Sequence, residues 1–407
     1  MTAAEAAARI ARDAYGRLLA MVAGRTRDIT AAEDALADAF VAALTRWPID
    51  GVPDNPDAWL LSAARRRAVD QFRRAAVRDR ARDYLQTVVE ELGERGGEGP
   101  VPDERLQMLF VCTHPAIAEE AQVPLMLQTV LGLDAEAIAS AFRVAPKTMG
   151  QRLWRAKTKI RNAGIPFEVP GPDELPARLD RVLEAIYAAF GVAWEDHHGM
   201  DARARALTDE AIFIGRLLVT LLPDEPEARG LLALMLFADA RTAARRDAHG
   251  GFVPLAAQDP TRWDTSRIDE AERHLRAAFA RGRIGPYQLE AALQSAHVAG
   301  IRTGRVDHAA ILELYTGLVA LAPSLGAAVG HAAALIEVHG GDAALRALDE
   351  LPASMTRDYQ PYFVVRAEAL RATGRLAEAA HAYDQAIGLT EDPAIRAFLQ
   401  ARRGACA

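Results

Sequence analysis

Over 407 residues, Val and Ile rarely alternate with polar neighbours across a window of strand length, whereas Ala, Leu, Arg and Glu recur at helical spacing. A half-buried strand needs a hydrophobic period of two and an amphipathic helix a period of 3.6. The pattern therefore predicts an all-α protein. Composition agrees: half of the residues are hydrophobic but only 6% are aromatic, and the abundant residue types are strong helix formers. The length suffices for two or three domains.

Breaks in the helical pattern divide the chain. A first helical domain is assigned to 1–92. Within it, Thr30 stands three residues before Glu33, a capping-box spacing, and Leu36, Phe40, Val41 and Leu44 follow at helical intervals. The stretch PIDGVPDNP (48–56) reads as a loop, with Asn55 as N-cap and Pro56 at the first position of a helix that continues to Arg82. Trp59, Leu60, Ala63, Ala64, Ala68 and Phe72 supply the buried face of that helix. Residues 93–103, GERGGEGPVPD, read as a flexible linker. A second small helical unit occupies 104–163, and the Pro- and Gly-dense stretch 164–176 is the main expected boundary.

A helical extension is assigned to 177–290. It is interrupted by RRDAHGGFVPLAAQDPTRWD (245–264), too long for an ordinary connection and so either functional or a packed excursion. Arg245, Arg246, Asp247, Asp259, Arg262, Trp263 and Asp264 are expected to form a buried ion-pair network there. Residues 291–407 carry a weak repeat, with Gly304, Gly341 and Gly374 at intervals of 37 and 33. A period near 34 belongs to tetratricopeptide solenoids. The last copy fits best, with Ala367, Gly374, Ala379, Tyr383 and Ala386 in the small and aromatic positions.

The formal charge is −7, but it is unevenly spread. Residues 1–161 hold 23 Lys or Arg against 22 Asp or Glu, so the negative excess lies in the extension. Two stretches are strongly basic. SAARRRAVDQFRRAAVRDRAR (62–82) has eight Arg against two Asp. RVAPKTMGQRLWRAKTKIR (143–161) has seven Lys or Arg among nineteen residues and no acid. A solvated surface helix normally mixes signs, so the second stretch points to a polyanionic partner. Its context is that of a helix-turn-helix. DAEAIASAF packs Ile138 and Phe142, RVAP turns, and a second helix faces Met149, Leu153 and Ile160 inward. Lys147, Thr148, Gln151, Arg152 and Arg155 then point outward, placed to reach base edges in a major groove. Lys157, Lys159 and Arg161 suit phosphates, which position without reading sequence.

Other chemistry is poorly supported. Cys112 and Cys406, so far apart, form neither a disulfide framework nor a zinc cluster. EDHHG (195–199) places adjacent histidines on different sides of a helix, and HGGF (249–252) lacks the Lys and hydroxyl residue of a phosphate-binding loop. No metal, cofactor or enzymatic activity is expected. MTAAEAAARIARD has no apolar signal core, and no run approaches 18 apolar residues, so a cytoplasmic protein without a membrane span is expected.

Three segments in order resemble those of an extracytoplasmic-function type sigma factor of bacterial RNA polymerase. AEDALADAFVAALTRW (32–47) resembles the core-binding helix of region 2. NPDAWLLSAARRRAVDQFRR (55–74) resembles its promoter-melting and −10-reading helix. LDAEAIASAFRVAPKTMGQRLWRAKTKI (133–160) resembles the region 4 helix-turn-helix that reads the −35 element. The remainder resembles a subgroup with a helical, tetratricopeptide-like extension. The resemblance implies that Asp34, Asp38 and Phe40 contact the clamp helices of the largest polymerase subunit, with the flap as a further polymerase contact. It implies that loop 48–56, with Asn55, holds a flipped −10 base, and that Arg65, Arg66, Arg73 and Arg74 follow promoter phosphates. Trp59 is either a stacking platform for single-stranded DNA or core. Lys147, Thr148, Gln151, Arg152, Arg155, Lys157 and Lys159 engage the −35 DNA. The chain departs from the family at Arg66 and Arg67, where Asn is common, and at Gly150, inside a helix. The resemblance implies a factor that directs promoter recognition, with an extension that regulates it in cis or binds a partner; a chain cut after about residue 165 is then expected to change promoter output. The alternative is a one-component helix-turn-helix regulator with a ligand-sensing helical domain, which needs nothing of residues 30–74. An enzyme using the DHH and HGG histidines and a DNA-binding repeat scaffold are weaker rivals.

Overall fold

The computed structural model describes residues 2–78, 104–142, 144–171, 173–195 and 202–406. The expected linker 93–103 lies outside them, as do His197 and His198. The described residues are helical with no β-strand; one isolated antiparallel bridge joins Arg246 and Phe252. None of these helices is long and apolar enough to cross a membrane. The chain divides into two compact units, 1–218 and 219–407.

The first unit opens with α1 (Ala3–Asp13), closed by a reciprocal capping box between Thr2 and Glu5. α2 (Tyr15–Thr26) follows, and α3 (Ile29–Asp50) starts from Asp28, whose carboxylate accepts the Ala31 N–H at 3.1 Å. Asp28, not the expected Thr30, is the cap, because only Asp28 has the extended backbone that lets a side chain turn back on the first turn. α3 also runs through Pro48 to Asp50, shortening the expected loop 48–56 to residues 51–55. Pro48 sits in the last turn, where only one helical N–H is forfeited, and Gly51 ends the helix at φ 84°. Asn55 caps α4 (Pro56–Arg78) as expected, its Oδ1 accepting the Ala58 N–H at 3.0 Å.

The buried stripe of α3 is Ile29, Ala32, Ala35, Leu36, Ala39, Ala43 and Trp47. Of the four apolar residues that recur at helical spacing, only Leu36 is fully buried; Val41 and Leu44 are exposed. The small alanines draw α3 against α2 and α4, and the larger residues turn outward. Trp59 is half-buried, edge-on to Trp47 with ring centroids 5.5 Å apart.

Next come α5 (Glu104–Cys112), α6 (Glu119–Thr129), α7 (Ala135–Ala141) and α8 (Pro146–Ala163). Met108–Cys112 of α5 is wholly buried. Gly16 of α2 lies so near the end of α6 that a Cβ would collide with the Val130 carbonyl, which ties the first four helices to the next four. The unit does not end at the Pro- and Gly-dense stretch 164–176. α9 (Leu175–Glu195) returns Arg178 to α5, where it donates to the Phe110 carbonyl and, at 3.2 Å, to Thr113 Oγ1. α10 (Ala202–Leu221) brings Glu210 to Arg105, whose guanidinium lies 4.4 Å from the centre of the Phe213 ring.

In the second unit, α11 (Pro226–Asp239) is buried along nearly its whole length between α12 (Thr265–Phe279) and α13 (Pro286–Thr303). Glu227 of α11 caps α13 from outside, accepting the N–H groups of Tyr287 at 2.9 Å and Gln288 at 3.2 Å. The stretch 245–264 is a packed excursion. Asp247 and Asp259 do not join an ion-pair network; each closes its own tight turn, and Asp264 caps α12. Short acidic side chains find N–H partners two to four residues away more readily than distant cations. Arg262 is held by the Arg246 carbonyl at 2.8 Å, and Trp263 is buried.

The chain continues through α14 (His308–Leu321), α15 (Leu325–His339), α16 (Gly341–Asp349), α17 (Ala353–Thr356), α18 (Gln360–Ala372), α19 (Leu376–Gly388) and α20 (Pro393–Gly404), consecutive longer helices packing on each other. Ala367, Ala379, Tyr383 and Ala386 are fully buried. The repeat is spaced differently from the sequence expectation. Gly304, Gly340 and Gly374 are the left-handed residues between helices, at φ 69°, 81° and 76°. Gly341 instead begins α16, where a Cβ would strike the Ala369 carbonyl.

Arg246 reaches out of the excursion to Asp392, which also caps α20 through the Ala394 and Ile395 N–H groups at 2.7 and 3.3 Å. Burial opposes the charge on Asp392, but Arg246 and the two N–H groups outweigh it and hold the carboxyl below its ordinary 3.8. The folded chain thus binds this proton less tightly than the unfolded chain. The stabilisation is complete above the ordinary range and is lost as pH falls through the depressed value. Asp392→Asn is expected to lower the melting temperature at pH 7, with the gap to the unsubstituted protein closing below about pH 4. A gap that stays constant to pH 3 would remove the ion pair from this account.

Candidate nucleic-acid interface

α7 and α8 form two helices joined by a turn at 142–145, of which residue 143 lies outside the described set. Asp134 caps α7 through the Ala137 N–H at 2.8 Å. Pro146, which has no N–H to lose, opens α8, and Gly164 closes it at φ 60°. Met149, Leu153, Ala156 and Ile160 make its buried stripe, matching the three inward residues expected.

The opposite face is basic. Lys147, Thr148, Gln151, Arg155, Lys159 and Arg161 are exposed and Arg152 is half-buried. No ion pair among the described residues engages Lys147, Arg152, Arg155, Lys159 or Arg161, and α8 contains no acid. Their charge is available to a partner.

Lys157 is placed otherwise. Its side chain is 12% exposed and its ammonium pairs with Glu33 on α3. At 100° per residue it falls beside the buried stripe, not on the outward face, so it links α8 to α3 rather than standing free for a phosphate. Trp154 went unmarked in the sequence reading, yet it is 67% exposed. An aromatic within a basic helix was the available signal; the inward set of Met149, Leu153 and Ile160 already excluded it from the core.

The candidate residues of α4 are in mixed surroundings. Arg66 is exposed and donates to the Ser62 carbonyl at 3.2 Å. Arg67 pairs with Asp38 at 3.2 Å. Arg65 is half-buried, and burial, reinforced by Arg25, lowers its pKa. Arg73 and Arg74 lie on α4, but their side chains are outside the described residues.

On α3, Asp34 is exposed, Asp38 is half-exposed against Arg67, and Phe40 is partly buried on Tyr15, ring centroids 6.4 Å apart. Burial, together with Glu33 and Asp34, pushes the Tyr15 hydroxyl up to about 12. Asp34, Asp38 and Val41 share one outward face, with Leu44 at its edge. Val41 is 63% exposed and Leu44 48%. Two branched side chains thus stand exposed beside the carboxylates of α3. This pair escaped the sequence reading because helical spacing alone does not say which stripe is buried.

Nucleophilic chemistry finds no purchase at the cysteines. Both are buried, and burial pushes the Cys112 thiol up to about 12. Among the described residues no three His, Cys, Asp or Glu converge to hold a metal ion.

Residues 10–78, spanning the end of α1 and all of α2 to α4, match sigma-70 region 2. Residues 178–279 match a family of unknown function, DUF6596. An uncharacterized protein of Rhizobium meliloti (strain 1021) is 35% identical over 379 residues, which cover 92% of this chain and 89% of the relative. No solved structure matches the chain.

Proposed function

We propose that this chain, which belongs to one family with its Rhizobium meliloti relative and carries sigma-70 region 2, is an alternative sigma factor of the extracytoplasmic-function type. Region 2 gives it a sigma-factor role in binding core RNA polymerase and recognising promoter DNA. The observation that carries the finer reading is the order of parts within the first unit: region 2, then a two-helix element whose second helix is basic, acid-free and exposed.

In this reading α3 docks on the clamp helices of the largest polymerase subunit through Asp34, Asp38, Val41 and Leu44, with Phe40 supporting them from beneath. α4 and the loop 51–55, which includes Asn55, open and read the −10 element. Arg65, Arg66, Arg73 and Arg74 serve its phosphates, and Trp59, edge-on to Trp47, borders the melted strand. α7 and α8 form a region 4 helix-turn-helix near the polymerase flap. Lys147, Thr148, Gln151, Arg152 and Arg155 read the −35 element and Lys159 holds phosphate. The second unit is a tetratricopeptide-like extension that sets promoter output in cis or through a protein partner. The factor performs no covalent chemistry and works in the cytoplasm with polymerase.

The test is transcription in vitro with sigma-free core polymerase and a genomic promoter library. Transcripts starting downstream of a shared −35/−10 pair are expected. Binding to DNA without any specific initiation would instead favour an operator-binding regulator.

A further inference from the structure

Two neighbouring positions on α8 are not explained by its fold. Trp154 is 67% exposed, in the middle of a helix whose buried stripe is complete without it. Gly150 lies one turn earlier, and a Cβ there would meet nothing within 4 Å. Neither a close approach nor a positive φ calls for glycine at that position, and glycine is unfavourable inside a helix. Residues four apart share a face, and helical side chains lean toward the helix N-terminus. Trp154 therefore leans over the bare turn of Gly150, on the side that also carries Lys147 and Gln151.

The charge around the indole restricts its partner. Lys147 and Arg161 lie on its face of α8, with Arg155 beside them and no acid on the helix. Glu33 on α3, which reaches α8, is taken by Lys157. A partner suited to this face is polyanionic and yet offers an apolar surface. Duplex DNA meets both conditions, because the thymine methyl group lies in the major groove among bases that Lys and Gln can read.

We propose that Trp154 is a specificity-determining contact, its indole packing on a thymine methyl group in the duplex that α8 reads, with Gly150 leaving room for the DNA edge. This rests on the reading of α8 as the −35-binding helix. A methyl contact is non-ionic, so it alters affinity without altering salt dependence, whereas each cation that neutralises a phosphate contributes to the salt slope.

The full chain is assembled with core polymerase on a promoter recovered by the transcription experiment, and binding is measured over a range of salt concentrations. Trp154→Ala is expected to weaken binding about 10-fold at every salt concentration with an unchanged slope. Lys147→Ala and Arg155→Ala serve as ionic controls, at least one of them lowering the slope by about 1. Replacing −35 thymines one at a time by deoxyuridine removes single methyl groups. At one position this should weaken the unsubstituted protein about fourfold, as expected for one buried methyl, and leave Trp154→Ala unaffected. Unchanged melting temperatures establish that the variants fold.

The proposal is overturned if Trp154→Ala binds as tightly as the unsubstituted protein, if it lowers the salt slope, or if every deoxyuridine affects both proteins equally. Loss of core binding without loss of promoter affinity would place Trp154 against polymerase and also overturn it. If the ionic controls act and Trp154→Ala does not, only this inference fails. If none of the three acts, the −35 reading of α8 fails with it.

Discussion

Replacing Val41 and Leu44 together by Glu is expected to weaken binding to core polymerase at least about 100-fold, while the melting temperature stays almost unchanged. The two side chains are 63% and 48% exposed, so their removal takes little from the folded chain. At a protein interface the situation reverses. Burying an exposed Val or Leu side chain in a docked face contributes roughly 1.5 kcal/mol or more, and about 1.4 kcal/mol is tenfold in affinity. Glu would add a desolvated charge beside Asp34 and Asp38. Fluorescence anisotropy with labelled protein and core polymerase gives the affinity, and thermal unfolding gives the stability. The opposite pattern, intact core binding with a lowered melting temperature, would mean that the pair packs within this chain and that α3 docks by another face. Asp34→Ala is a milder companion, because a rim charge affects mainly the association rate and its salt dependence.

How far these elements were legible in the sequence depended on whether local signals were unique. α8 was readable because a single stripe, Met149, Leu153 and Ile160, satisfies the helical period, and because Pro146 and Gly164 mark its ends. α3 was readable as a helix but not in its facing. Two stripes compete there, one of large residues and one of mostly small ones, and the small one is buried. Packing density favours close approach of alanine-rich faces, a tertiary fact that spacing along one helix does not contain. Lys157 was assigned to phosphate by charge type alone. Its link to Glu33 joins residues 124 apart and has no local signature. Asp392 is the same case at greater separation, held by Arg246 across 146 residues. The glycine repeat was legible in period but one residue out in its middle copy. Gly340 and Gly341 are adjacent, and only the backbone distinguishes the left-handed one from the closely packed one.

The extent of the first unit was the least legible feature, and it yields the second large prediction. A sequence break at 164–176 suggests that a chain cut near residue 165 is a self-sufficient factor. Arg178 argues otherwise. Its side chain is 9% exposed, it donates to the Phe110 carbonyl and to Thr113 Oγ1, and its guanidinium carbon lies 5.9 Å from the Phe110 ring centre. Phe110 and Thr113 belong to the buried heart of α5 and its C-terminal turn. Removing the guanidinium forfeits a charge-assisted hydrogen bond worth roughly 1.5–3 kcal/mol, although the Phe110 carbonyl keeps the Thr113 N–H and hydroxyl as donors. Arg178→Met, which keeps most of the bulk, is therefore expected to destabilise the first unit by about 2 kcal/mol. For a unit of this size that corresponds to a fall of roughly 4–8 °C in melting temperature. Arg178→Lys should recover only part, since one ammonium does not reproduce the guanidinium fork. A shift within 1 °C for Arg178→Met would show that α9 is not structurally required by α5. The same argument sets where an informative truncation must fall. A chain ending near 165 loses Arg178, Arg181 with its partner Glu119, and Glu210 with its partner Arg105, so any change in promoter output would mix regulation with unfolding. A chain ending after Leu221 keeps all three. If that longer piece melts as one cooperative transition and its transcription differs from that of the full chain, the difference belongs to the second unit. If the piece ending near 165 is equally stable, α9 and α10 belong functionally to the extension despite their packing on α5 and α6.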